Sequence, residues 1–146
     1  RGSRLDQTDK SYLYFIMQDD SSIEVHGNIH SLLKPDEFYY ITDLNDYGIY
    51  TFYSLFYHCK SLINAPQLYA HILSPSCYEK MFIGCDGIEN SPMIHTLKLA
   101  SSCYRDMFIY CDKLTNTPLL STLECIPRLK SLFNDEIPSW EYKVLT

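Results

Sequence analysis

The sequence predicts an α/β repeat: a short solenoid of units about 26 residues long, each a short helix plus short strands, preceded by a small β-hairpin region. Three observations predict it. The spacing of Cys59, Cys77, Cys85, Cys103 and Cys111 alternates between eighteen positions and eight. A shift of twenty-six positions aligns Cys59, Cys85 and Cys111, and with them Asn64, Asn90 and Asn116, Pro66, Pro92 and Pro118, and Phe56, Phe82 and Phe108. Between residues 72–85 and 98–111, eight of fourteen positions are identical. Self-similarity at such a period marks units that cannot bury an apolar face alone and do so by stacking.

Each element of the unit follows from its pattern. In the unit 77–102, apolar Cys77, Tyr78, Met81, Phe82 and Cys85 recur at i, i+1, i+4, i+5 and i+8, with polar Glu79 and Lys80 between them. That stripe predicts a helix of about two turns. Ser76, and Ser102 one unit later, stand where an N-cap is wanted; Gly84 and Gly87 help the chain leave the helix. The stretch from Gly87 to Ile94 is extended, and its strand must end near Pro92, which cannot donate to a ladder. Leu97 and Leu99 alternate with Lys98 and predict a second short extended segment.

The array is expected over residues 51–123. Its first unit is worn: Thr51-Phe52 replaces Cys-Tyr and Leu55-Phe56 replaces Met-Phe. Residues 124–146 are expected to form a degenerate repeat, in which Leu132-Phe133 echoes Met107-Phe108 at nearly the same interval, and a C-terminal cap with Trp140. Residues 1–50 form the N-terminal β-hairpin and capping region, because Leu13-Tyr14-Phe15-Ile16 and Ser22-Ile23-Glu24-Val25 flank Asp19-Asp20-Ser21.

Composition excludes several partners. The net charge is −6 and no Lys/Arg-rich run occurs, so neither nucleic acid nor an anionic membrane surface is a favoured partner. The longest apolar stretches are too short for membrane insertion. The opening Arg1-Gly2-Ser3-Arg4-Leu5-Asp6 has no apolar core of the kind an export signal carries. Thirteen tyrosines against seven Phe and one Trp suit half-buried packing first and binding surfaces second.

The chemistry-bearing residues read mainly as packing. The cysteines recur at apolar positions with no CxxC, which favours buried free thiols over disulfides or zinc. The asparagine column reads as a ladder bonding across units before each proline. His26, His30, His58, His71 and His95 are scattered and read as exposed polar residues; the alternative is a metal-binding or pH-sensitive His71–His95 pair. No GxSxG, HExxH or glycine-rich phosphate loop occurs, so no enzyme, cofactor or metal is expected. What varies between aligned units are outward positions, and Gln67, Tyr69, His71, Met93, His95 and Lys98 are the candidate binding surface, joined by Ser91 and Thr96.

The unit resembles the BspA-like leucine-rich repeat of surface proteins of gut Bacteroidetes and of some of their phages. Phe56, Cys59, Ser61, Leu62, Ala65, Pro66 and Leu68 match that pattern, as do Leu73, Cys77, Tyr78, Met81, Phe82, Gly84 and Cys85. So do Pro92, Leu99, Ala100, Cys103, Tyr104, Met107, Phe108, Cys111, Leu114 and Pro118. The likeness covers roughly residues 52–123, and His26-Gly27-Asn28-Ile29-His30-Ser31-Leu32-Leu33 resembles a segment that precedes such repeats. It departs where the family is monotonous, at Tyr69-Ala70-His71-Ile72-Leu73 and Cys85-Asp86-Gly87-Ile88. The resemblance implies a non-enzymatic recognition module of an adhesin-like protein, at the cell surface or secreted, binding protein or glycan. The alternative it leaves open is a structural, assembly or adsorption protein of a phage virion, packing against copies of itself.

Overall fold

The computed structural model describes Phe15 and residues 21–116. The expectations for Cys125, Pro118 and the segment 124–146 lie outside the described residues.

Positions one repeat interval apart are neighbours in space. Along 50–58, the backbone N–H groups of Tyr50, Phe52, Ser54, Phe56 and His58 donate to the carbonyls of Pro75, Cys77, Glu79, Met81 and Ile83 at 2.7–3.2 Å. One unit on, Ser76, Tyr78, Lys80, Phe82 and Gly84 donate in the same way to Ser101, Cys103, Arg105, Met107 and Ile109 at 2.8–3.0 Å. The intervening N–H groups close local turns: Cys77, Glu79, Met81, Ile83 and Cys85 donate three residues back, to Ser74, Ser76, Tyr78, Lys80 and Phe82. Every backbone donor from Ser76 to Cys85 is thereby satisfied, half of them across units.

The expected helix over 77–85 is therefore corrected: the segment is a chain of overlapping turns. A left-handed residue recurs every fourth position, at Tyr50, Ser54 and His58, at Ser76, Lys80 and Gly84, and at Ser102, Asp106 and Tyr110, with φ between 53° and 70°. Lys80 and Gly84 are the third residues of the turns closed by Met81 and Cys85, the position at which a type II turn requires positive φ. Ser76 and Ser102 occupy the same left-handed column and do not have the extended backbone of an N-cap. Two physical reasons favour the turns. An apolar pair every four residues serves a four-residue turn as well as a 3.6-residue one over so short a stretch. A two-turn helix would also leave most of its end groups unpaired, whereas the turns hand theirs to the next unit.

Gly84 and Gly87 serve different ends. Gly84 has φ +70°, and a Cβ there would meet the His58 ring. Gly87 is pressed against the preceding unit, where a Cβ would stand 2.5 Å from the Lys60 carbonyl oxygen and 2.6 Å from that of Leu62.

The extended side of each unit is minimal. Strand β1 (Ile23–Glu24) pairs in parallel with β2 (Leu62–Asn64), and isolated parallel bridges join Asn28 to Gln67, Asp43 to Ile72, Leu68 to Ile94 and Ile72 to Lys98. β2 stops before Pro66. Of the first arm of the hairpin expected near the N-terminus only Phe15 is described, so that hairpin lies outside the described residues. Phe15 donates to the Leu55 carbonyl at 3.1 Å and Ile23 to that of Ser61 at 2.8 Å, so both run beside the next unit.

The core is built of stacked columns. Phe15, Phe56, Phe82 and Phe108 stack in series at centroid distances of 5.1, 5.4 and 5.6 Å. His30, Phe52, Tyr78 and Tyr104 form a second stack at 5.9, 5.7 and 5.9 Å. Phe15 and His30 thus hold places in the repeat columns, though sequence spacing hides them. The interval to the next unit is 41 from Phe15 to Phe56, falls to 39 from Asn28 to Gln67 and 29 from Asp43 to Ile72, and reaches 26 from Thr51 to Cys77. Most of the surplus lies between Asn28 and Asp43, where the 3-10 helices Ile29–Leu32 and Phe38–Tyr40 sit; a third, Asn45–Tyr47, lies in the stretch from Asp43 to Thr51 that takes up most of the remainder. Asn28 starts the first of these by accepting the His30 N–H at 2.9 Å.

Candidate functional site

Outside the core, the variable positions of two units meet across a groove of about 530 Å³ lined by Gln67, Tyr69, Ser91, Pro92, Met93, His95 and Asn116. Tyr69 and His95 stack with centroids 5.2 Å apart and planes within 10°, a third aromatic column carried at the surface. The bridge between Leu68 and Ile94 sets this register, since the side chains on either side of it must leave the core together. Met93 is half exposed.

Two planar amides are fixed in place. The Gln67 Oε1 accepts the Met93 N–H at 2.9 Å and the Asn116 Oδ1 accepts the Ser91 N–H at 2.8 Å. Backbone N–H donors settle which end of each amide is oxygen, so each NH2 is turned away from those contacts. With the Tyr69 phenol, the Ser91 hydroxyl and the His95 imidazole, the groove holds polar groups of both senses and, among the described residues, no formally charged side chain in its lining.

Of the six candidate residues read from the sequence, Gln67, Tyr69, Met93 and His95 converge on this groove. His71 and Lys98 do not line it. They are exposed nearby, and the His71 carbonyl accepts the N–H groups of Leu97 and Lys98, both at 2.8 Å. Thr96, expected to point outward with them, is instead buried. Sequence reasoning assigned Pro92 and Asn116 to structural columns, yet both line the groove. For asparagine the signal was the column itself, whose member at 116 reaches across to the preceding unit, whereas Asn64 and Asn90 are exposed.

The expectation that the histidines are exposed fails at one of them. His95 stands beside Tyr69, because the repeat interval pairs 69 with 95. His30 is fully buried, and neither ring nitrogen has a hydrogen-bond partner among the described residues. Burial pushes its pKa down. Of the others, His26 pairs with Glu24 at 2.8 Å in solvent, and His58 packs edge-on against Tyr57.

The described cysteines are buried and free. Cys85 and Cys111 donate to the carbonyls of Phe56 and Phe82 at 2.9 and 3.0 Å, each reaching back to the preceding unit, and Cys59 points to the Phe15 carbonyl at 3.5 Å. Desolvation pushes the Cys111 thiol up to about 12 and that of Cys85 higher still, which suppresses the reactive thiolate. Among the described residues, no group of three or more His, Cys, Asp or Glu could hold a metal ion, and no helix is long and apolar enough to cross a membrane.

A second, smaller cleft of about 190 Å³ lies between Lys34 and Tyr47. Lys34 bonds Glu37 there at 3.1 Å, a contact that holds its ammonium charged, so the cleft's cation is already supplied from within.

Comparison with protein-family models, curated proteins and solved structures gives no match for this chain.

Proposed function

We propose that this chain is a non-enzymatic recognition module of an adhesin-like bacterial cell-surface protein, binding a protein or glycan through the groove between Tyr69, His95 and Asn116. The observation that carries the reading is the convergence of four outward, variable positions, Gln67, Tyr69, Met93 and His95, on one concave surface above a stacked core. In stacked-repeat proteins the columns that pack stay constant and the outward positions carry specificity. The BspA-like pattern supports the same reading and gives it a cell-surface setting.

The groove is a favourable place for contact. Tyrosine and histidine present large surface for few rotatable bonds, and their mutual stacking removes part of the entropy a ligand would otherwise have to freeze out. The backbone beneath is tied by the ladder between units, so the groove is formed before any ligand arrives.

The test is binding of the labelled chain to intact bacterial cells and to a panel of immobilised envelope and matrix proteins and glycans, with Tyr69→Ser/His95→Ser measured in parallel. Saturable binding that the double variant loses at least tenfold is expected. Binding unaffected by the variant, or none on any surface, overturns the assignment.

A further inference from the structure

We propose that the ligand of this groove is a neutral oligosaccharide; the inference rests on the recognition reading above and names its ligand class. The first argument is charge. Asp, Glu, Lys and Arg make up 21% of the chain, yet among the described residues none lines the groove. A sulfated, sialylated or strongly basic ligand would surrender its hydration without meeting a counter-charge.

The second argument is the supply of backbone groups. An extended peptide docking by strand addition needs open backbone N–H and C=O groups along an edge. Here the N–H groups of Ser91, Met93 and His95 are committed to the Asn116 side chain, the Gln67 side chain and the Leu68 carbonyl, at 2.8, 2.9 and 3.1 Å. What the groove offers is side-chain chemistry: amide NH2 donors of Gln67 and Asn116, the Ser91 and Tyr69 hydroxyls, and the apolar surfaces of Pro92 and Met93. Sugar hydroxyls exchange hydrogen bonds with amides and hydroxyls of both senses, while the C–H faces of the ring pack on apolar and aromatic side chains. A volume of about 530 Å³ falls within the usual range of small-ligand sites.

The experiment uses the full chain on an array of neutral, sialylated and sulfated oligosaccharides, with a library of short unmodified peptides beside it. Hits are titrated against Gln67→Glu, Tyr69→Ser and, as a control outside the groove, Leu97→Ser. Gln67→Glu keeps the oxygen that accepts the Met93 N–H but removes the NH2 donor and adds a charge. The expected result is binding of neutral glycans, weakened at least tenfold by Gln67→Glu and by Tyr69→Ser and unchanged by Leu97→Ser. Preference for charged glycans or for peptides, still sensitive to Tyr69→Ser, overturns the neutral-glycan inference and leaves the recognition reading standing. Absence of any groove-dependent binding overturns both.

Discussion

The hydroxyl of Tyr104 is hydrogen-bonded to the hydroxyl of Thr96, both side chains being buried. One unit earlier the same tyrosine, Tyr78, has Ala70 in place of that threonine, and its hydroxyl is buried without a partner among the described residues. Two residues that look equivalent in the sequence therefore differ in energetic role. Tyr78→Phe removes an orphaned hydroxyl and is expected to leave stability unchanged or raise it by about 1 kcal/mol, whereas Tyr104→Phe strips Thr96 of a partner and costs about 1–2 kcal/mol. Urea unfolding of the two variants checks the ordering, and the reverse order contradicts the pairing of Tyr104 with Thr96 and the orphaned state of the Tyr78 hydroxyl.

His30 gives the fold a dependence on pH. Its neutral form is buried against Phe52, and its pKa lies below the ordinary 6.5. In the unfolded chain the ring takes up a proton around its ordinary pKa, while in the folded chain it does so only at lower pH. Stability is therefore full above the unfolded value and declines as pH falls from there towards the folded value, by up to about 1.4 kcal/mol per pH unit, then levels off. His30→Phe, which preserves the stack, is expected to flatten this part of the profile. Urea midpoints at pH 7.5 and 5.5 for both proteins measure it; equal declines in both would exclude His30 as the source.

Close approach, and not chain reversal, explains Gly87. A methyl group there collides with two carbonyl oxygens of the preceding unit's backbone, which cannot swing aside. Gly87→Ala is expected to cost about 1–3 kcal/mol, the range of an overpacked core. Gly84→Ala meets only the exposed His58 ring, plus the strain of a left-handed backbone, and second-site His58→Ala should recover its steric part. Recovery of Gly87→Ala by His58→Ala would contradict this assignment.

The turn chain and the helix make opposite predictions at Asp106, whose φ is +57°. In a helix, alanine is favoured over glycine by about 1 kcal/mol. At a left-handed position glycine is favoured, by about 1–2 kcal/mol, because it carries no Cβ to crowd the carbonyl. Comparing Asp106→Gly with Asp106→Ala cancels the loss of the aspartate itself, and the sign of the difference in unfolding free energy decides between the two backbones.

These residues show which parts of the molecule the sequence exposes. The columns Phe56/Phe82/Phe108 and Cys59/Cys85/Cys111 are legible because packing holds them to one chemical type at a fixed interval. The backbone of the apolar stripe is not, since so short a pattern serves a helix and a row of four-residue turns alike, and only the fate of alternate N–H groups separates them. Phe15 and His30 escape because neither stands one repeat interval from its stacking partner: Phe15 is 41 positions before Phe56, with the 3-10 segments inserted between them, and His30 is only 22 before Phe52. At the groove, variability between units finds Gln67, Tyr69, Met93 and His95. It also overreaches to His71 and Lys98, because outward direction alone does not say which outward side chains converge.

Everything proposed for this protein requires that residues 69 and 95 be neighbours, since the groove has no wall otherwise. Nuclear Overhauser contacts between the ring protons of Tyr69 and His95 test this most directly, the rings being stacked at 5.2 Å. The account predicts cross-peaks between them, a full repeat interval apart in sequence, alongside those of Phe56 with Phe82. Phe56–Phe82 contacts without Tyr69–His95 contacts would remove the groove, and the absence of both would remove the stacked units beneath it.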